Sequence, residues 1–496
     1  MEFINCLQDT SNITRTANGL KAYKSTLNAN LDFFSNISSL RNIEIKKITQ
    51  DYSKCLKEDK LLAFKIAFYA RSIRRLGQGE RKLARKLYAY LANNETESML
   101  KNMHLIPYYG RFDDLYALDG TLLEKEMYRF MYEQAINDLN STSPSLLGKW
   151  LISANTKSNK KSLGIKTAKY FAYFKTNNEQ LLHEVSKGTL NTILKDYRKL
   201  LTTLRKKINI LETKLCSQDY QSIDFGKVPS MAMLRYYSTF TRNAKEQYEA
   251  YLEQVRQGKA KINTQTLTPY DIFSKIERAY SASLETLWKN LPDYVNGGFN
   301  TLVVADTSGS MEGKPMDVAL SLAIYFAEHN HGPYHNKMIT FSRNPHYVTF
   351  SDDDNLLEKY RKIPEYVENT NINKVFKLIL NTAIENNLKD EDLPRKVLII
   401  SDMQFDACTI KNKDYYTELK AMFAKYNYTL PELIFWNVSE FDYCGKYQVK
   451  YDTKGAILIS GMNPSLFENI MKSVDVTPLK FMNEVLNNPY FDLIQI

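Results

Sequence analysis

Hydrophobic positions follow two different rhythms along this 496-residue chain. From about Leu61 to Tyr294 they recur at three- and four-residue spacing, the period of helices with one buried face. Leu62, Ile66, Tyr69 and Ile73 make one stripe, and Leu83, Leu87, Tyr90 and Leu91 make the next. Leu122, Met127, Phe130 and Met131 follow, then Leu200, Leu201, Leu204, Ile208 and Leu211. Turn residues punctuate them, among them Gly77, Gly79, Pro107, Gly110, Gly120, Pro144, Gly188, Pro229 and Pro269. The spacing predicts an antiparallel helical array without a sharp internal repeat. After Asn296-Gly297-Gly298 the rhythm changes. Short apolar runs at 301–306, 337–342, 346–350, 397–402, 432–438 and 456–460 alternate with helical stretches at 315–329, 373–386, 414–427, 464–473 and 478–487. That alternation predicts an α/β doubly wound sheet. Residues 1–50 are polar and Asn/Ser-rich with weak periodicity. The expected organisation is multidomain: a partly ordered lead-in (1–50), a helical region (51–295), a linker (296–298) and an α/β domain (299–496).

One loop in the α/β region carries the sharpest chemistry. Asp306-Thr307-Ser308-Gly309-Ser310 directly follows the run Thr301-Leu302-Val303-Val304-Ala305, and Pro315 opens the helix beyond it. One carboxylate and two hydroxyls are thereby placed at the carboxyl end of a strand, where open α/β sheets bind ligands. These are hard oxygen donors, suited to Mg²⁺ or Mn²⁺ rather than zinc. Thr370, before a helical run, and Asp402, ending the strand 397–402, are the expected remaining donors, with Asp406 as the alternative to Asp402. His329, His331 and His335 lie in a Gly-Pro loop without a fourth ligand and do not make a zinc site.

Charge divides the chain further. Residues 1–300 hold 46 Lys+Arg against 30 Asp+Glu, a net of +16, and residues 301–496 hold 20 against 26, a net of −6. The basic excess points to a polyanionic partner for the helical part. Its densest segment runs from Arg71 through Arg74, Arg75, Arg81, Lys82, Arg85 and Lys86, with Gly77 and Gly79 expected to offer backbone amides to an anion. A second patch contains Lys149, Lys160 and Lys161, and a third contains Arg198, Lys199, Arg205 and Lys206. Trp150, Tyr170, Tyr173, Tyr236 and Tyr237 interleave with these, as in proteins that stack unpaired bases beside cations, although the run Tyr170–Phe174 also suits a helix core. Five scattered cysteines (Cys6, Cys55, Cys216, Cys408, Cys444) form no Cys-x-x-Cys pair. No apolar run reaches membrane-spanning length, and Met1–Asn5 lacks the features of a signal peptide. A cytoplasmic protein without a membrane partner is expected.

Two resemblances gather these motifs. The Asp306/Ser308/Ser310, Thr370 and Asp402 set resembles the metal-ion-dependent adhesion site (MIDAS) of von Willebrand factor A domains, over about 299–496, except that Asn369 stands where that family usually has Gly. Arg74–Arg81 and Leu105–Leu115 are similar to segments of the TROVE module of Ro60-like proteins, and the domain order agrees. The resemblance implies a ring of HEAT-like helices closed by the metal domain, monomeric, binding small structured RNAs outside and single-stranded ends in its hole.

The leading expectation is therefore a non-catalytic, RNA-binding ribonucleoprotein scaffold whose metal site either recruits a nuclease or other protein through an acidic residue or makes the contact that closes the ring. The alternative is a metal-dependent protein-interaction module without RNA. A metal-dependent nuclease is disfavoured, because hydroxyl-dominated coordination lacks the second carboxylate-bridged metal of phosphodiesterases.

Overall fold

Polar residues 11–50 already hold a small sheet. Asn18-Gly19, with Gly19 at φ 91°, turns an antiparallel hairpin of β1 (Ile13–Arg15) and β2 (Lys21–Tyr23). This is a computed structural model, and it describes residues 11–74, 76–154, 161–295, 300–341, 344–364, 371–406, 415–440, 446–473 and 476–496.

Six later strands form one mixed sheet: β3 (Thr301–Asp306), β4 (Lys337–Phe341), β5 (Pro345–Thr349), β6 (Lys396–Ser401), β7 (Glu432–Asn437) and β8 (Ala456–Ser460). Their spatial order is β5-β4-β3-β6-β7-β8. All neighbours run parallel except the edge strand β5, which pairs antiparallel with β4. Strands β3, β6 and β8 are buried along their whole length, as a sheet covered on both faces requires. On one face Leu302, Val304, Val397, Ile399, Leu433 and Phe435 pack with the helices Ile372–Glu385 and Tyr415–Ala424. The intervening positions point to the other face, where the helix Lys314–His329 lies against β3, β4 and β6 and the Phe326 ring packs at a tilt against Trp436 and Phe467.

Before the sheet nearly everything is helical, with long helices at Ile45–Glu58, Lys60–Arg71, Arg81–Asn94, Glu124–Asn140, Lys161–Thr176, Lys187–Ile208, Ser230–Asn243 and Lys245–Arg256. The stops obey local chemistry. Asp59 accepts the Leu62 N–H at 2.8 Å to start one helix, and Asn209 in the left-handed region ends another.

The chain divides in space differently from the expected order of domains. One compact unit gathers 1–83, 229–237 and 252–493, and the other holds 84–228, 238–251 and 494–496. The segment expected as a lead-in is thus part of the unit that contains the sheet, with Leu31, Phe33, Phe34, Ile37 and Leu40 all buried. The expected linker 296–298 lies outside the described residues.

Candidate functional site

Strand order reverses between β3 and β6: the chain runs from β3 to β4 on one side, then returns to build β6, β7 and β8 on the other. Ligands of open parallel sheets bind outside the carboxyl ends at such a reversal. Asp306 ends β3, and Asp402 follows β6 at the same end. Asp306 is fully buried and Asp402 is 7% exposed. The Ser308 N–H donates to Asp306 Oδ1 at 2.9 Å, and the Ser401 hydroxyl donates to Oδ2 at 2.6 Å. Ser308 Oγ and Ser310 Oγ stand 3.2 Å apart, with Ser308 buried and Ser310 exposed. The Asp402 carboxylate accepts the Gln404 N–H at 3.0 Å. Burial, and then the negative charge of Asp402, push the Asp306 carboxyl up to about 7, while the serine hydrogen bonds pull the other way.

Two buried carboxylates at the same end of neighbouring strands, one feeling the charge of the other, with serine hydroxyls beside Asp306, are hard oxygen donors of a kind that fits a small dication. Among the described residues no group of three or more His, Cys, Asp or Glu side chains could hold a metal, so softer or all-acidic sites have no candidate. Thr370 lies outside the described residues. Asp406 makes a backbone bridge with Gly19, and the charge of Asp402 acts on Asp306. His335 is turned toward Asp352 at 2.8 Å and His329 toward the Tyr325 carbonyl, so the histidines do not converge.

The loop after β6 is held from an unexpected quarter. Thr16 Oγ1 donates to the Phe405 carbonyl at 2.5 Å, Asn18 Nδ2 to the Gln404 carbonyl at 2.7 Å, and the Ala17 N–H to Gln404 Oε1 at 2.9 Å. Leu20 reaches into the sheet core, and Tyr23 exchanges backbone hydrogen bonds with Tyr447. The Asn18-Gly19 pair between apolar residues was the readable signal for this hairpin. A second unforeseen group is ionic: Arg41 pairs with Glu80 and Glu440, and Glu440 also takes Lys314.

The basic residues separate into two kinds. Arg85 and Arg205, both expected to meet phosphate, are held by acceptors of the protein itself. Arg85 Nε donates to Asp114 Oδ1 at 2.7 Å, and its Nη2 meets both the Asp113 carbonyl and carboxylate at 2.8 Å. Arg205 spans the Gly148 carbonyl, the Leu151 carbonyl and the Ser153 hydroxyl, all at 3.0–3.1 Å. An arginine fork satisfies several acceptors at once, which is why these two positions are arginines. Lys149 is held by Glu212 at 3.1 Å, and Lys86 is half-buried. Arg74, Arg81, Lys82, Lys161, Arg198, Lys199 and Lys206 are exposed, whereas Arg75 and Lys160 lie outside the described residues.

Gly77 and Gly79 are likewise architectural. The Gln78, Gly79 and Glu80 N–H groups donate to the carbonyls of Tyr69, Ser72 and Ala70, closing the end of the preceding helix rather than facing an anion. Gln78 and Glu80 are buried. In the Leu105–Leu115 segment Asp114 caps the turn Phe112–Leu118 by accepting the Arg111 N–H, and Arg111 stacks on Trp150 at 4.1 Å. Tyr170 stacks on Tyr128 at 4.3 Å and Phe171 is buried, so this run packs between helices. No helix of the described residues is long and apolar enough to cross a membrane.

Comparison with known proteins places the chain in a family. An uncharacterized protein of Acanthamoeba polyphaga mimivirus is 29% identical over 521 residues, covering 97% of this chain and 89% of that one. The crystal structure of the Deinococcus radiodurans Ro (RSR) protein superposes with a TM-score of 0.37 at 12% identity, covering 92% of this chain and 93% of that one. A family model described as a domain of unknown function (DUF7788) matches residues 300–485, the stretch that holds the sheet. A second, described as a domain of unknown function (DUF2828), matches residues 16–111 and 112–305, and since these cover more than half of the chain, the protein belongs to the DUF2828 family.

Proposed function

We propose that the protein is an RNA-binding scaffold whose helical part holds the phosphate backbone. The observation that carries this reading is the helix Lys187–Ile208. It buries Ile193, Tyr197, Leu201 and Leu204 and exposes Lys195, Arg198, Lys199 and Lys206. Lys195, Lys199 and Lys206 recur along the face opposite the buried one, so the helix presents a cationic row without sacrificing its packing. The net of +16 over residues 1–300 supports the same reading, as does the residue-level resemblance to TROVE segments. Binding through such a row is largely sequence-independent and falls steeply with salt. Replacing Arg198, Lys199 and Lys206 by Ala should lower affinity for a single-stranded RNA oligomer about ten- to hundredfold at low salt, and flatten the log–log salt slope by about 2. Unchanged affinity and slope would sink the assignment. Crosslinking in cells followed by RNA sequencing would then name the ligand.

A second reading concerns the donor set at the sheet, and it does not require RNA. Asp306, Ser308, Ser310 and Asp402, with Thr370, would hold Mg²⁺ or Mn²⁺, and the ion would supply a positive centre for an acidic residue of a protein partner. What favours it is the buried pair of carboxylates, a like-charge arrangement that a dication relieves. Mg²⁺ at about a hundredfold over its Kd should stabilise the protein by about 2.7 kcal/mol. Asp402→Asn should abolish that response, and a wild-type melting temperature indifferent to Mg²⁺ and Mn²⁺ would refute the site.

A further inference from the structure

Beside the Ser308-Gly309 turn opens a cavity of about 240 Å³. Its walls are apolar: Met316 and Leu320 come from the helix Lys314–His329, and Tyr360, Ile363 and Pro364 come from the short helix Leu356–Arg361 and the residues after it. Among the described residues its charge is all of one sign, from Glu312 and Asp317, and no Lys or Arg lines it.

Asp317 is the residue that makes this cavity more than a surface dimple. Among the described residues its carboxylate meets no hydrogen-bond donor and no cation. Burial, and then the charge of Glu277, hold its pKa above the ordinary carboxylate range. Glu277, which accepts the Tyr360 hydroxyl at 2.5 Å, adds negative potential at Asp317. Of the cations near the cavity in sequence, Lys314 pairs with Glu440, Lys359 with Glu328 and Lys362 with Asp354, while Arg361 is exposed and is not among the residues that line the cavity. A half-buried carboxylate against apolar walls is unfavourable without a counter-charge. The missing element is a cation that carries its own apolar surface.

We propose that this cavity receives an arginine or lysine side chain from a protein partner, its aliphatic stem against Met316, Leu320 and Pro364 and its charge on Asp317. The volume accommodates one long side chain. A guanidinium can bond a carboxylate through two N–H groups and lie over an aromatic face, here that of Tyr360. Long cationic side chains bury their stems on apolar surface in just this manner. The inference goes beyond the RNA reading and does not depend on an ion at the neighbouring loop.

The test is ligand-observed NMR on the full chain in EDTA buffer, so that neither RNA nor a divalent ion enters. The probes are Nα-acetyl-arginine amide, its neutral isostere Nα-acetyl-citrulline amide, and agmatine. The arginine probe should bind at millimolar concentration or tighter, and the citrulline probe at least tenfold more weakly. Asp317→Asn should erase that preference, and Met316→Lys, which places the chain's own cation at the cavity, should weaken the arginine probe at least tenfold. RNA affinity should be unchanged in both variants. Equal binding of arginine and citrulline, or no arginine binding at 20-fold the millimolar range, would overturn the proposal. Agmatine binding tighter than the amide-flanked probe would overturn the protein side chain as occupant and point to a free amine.

Discussion

Asp32 lies in the helix Ala29–Phe34 with its Oδ1 accepting the Thr26 N–H at 2.7 Å. Burial raises its carboxyl to about 6 from an ordinary 3.8, with a smaller push from Glu58 against the pull of the Ser25 and Thr26 hydrogen bonds. The folded state therefore holds this proton more tightly than the unfolded chain does. The stability it contributes is complete below about pH 4 and is lost as pH rises through about 6. The full swing is on the order of 2–3 kcal/mol, at 1.36 kcal/mol per unit. Asp32→Asn should remove that portion of the pH dependence, so the variant should gain on wild type between pH 4 and pH 7 in urea denaturation. Parallel wild-type and variant curves across this window would show that Asp32 does not titrate as its surroundings dictate. The same logic of surroundings separates the arginines: Arg85 and Arg205 have acceptors on several sides and are fasteners, while Arg198 is exposed and, among the described residues, bonds its own helix carbonyl, Leu194 O, at 3.2 Å.

At the scale of elements, periodicity is what sequence makes legible, and it performs best where one force dominates. The runs 301–306, 397–402 and 456–460 fall on β3, β6 and β8 because continuous β-branched burial has no other economical form. Asp306 and Asp402 were readable for the same reason, since a polar residue ending such a run must emerge at the sheet's carboxyl edge. The hairpin β1–β2 was not, although Asn18-Gly19 announced its turn, because its strands are three residues each and their partners lie near Gln404 and Tyr447. Long-range pairing of short polar segments leaves no local period to read. The motif Gly77-Gln78-Gly79-Glu80 misled in another way. Its glycines looked like a cradle for an anion, yet Gly77 is needed because a Cβ there would fall 2.4 Å from Ser72 Cβ. Gln78 then fills the space at Gly461, where a Cβ would meet Gln78 Oε1 at 1.6 Å. Spacing identifies where glycine is required but not whether a ligand or the chain's own backbone requires it.

For the whole molecule, the boundary between the two family models near 300–305 and the boundary between compact units are different things. The unit that contains the sheet also contains 1–83 and 252–295, and the contacts that bind them are core contacts. Leu20 packs among Val304, Phe341 and Val397. Tyr69 meets the Phe491 ring at 6.1 Å, and Lys65 Nζ donates to Asn487 Oδ1 at 3.0 Å. Trp288 Nε1 donates to Glu328 Oε2 at 2.7 Å, and Tyr325 Oη to the Pro292 carbonyl at 2.5 Å. A fragment cut at 299 would expose the faces that Leu20, Tyr69 and Trp288 cover, and losing one buried aromatic alone costs about 3–5 kcal/mol. Such losses approach the whole stability of a domain, about 5–15 kcal/mol. The fragment 299–496 should therefore be aggregation-prone or molten, with poor near-ultraviolet dichroism, despite spanning a complete sheet. Co-expression with residues 1–295 should restore a cooperative transition, because the missing surfaces return in trans. A fragment that unfolds cooperatively by itself at the wild-type temperature would mean instead that the sheet is autonomous and the N-terminal segment merely rests on it. In that case the hairpin's hold on the loop after β6 would be adjustable, and the melting temperature of the full chain with Thr16 and Asn18 replaced by Ala would fall little.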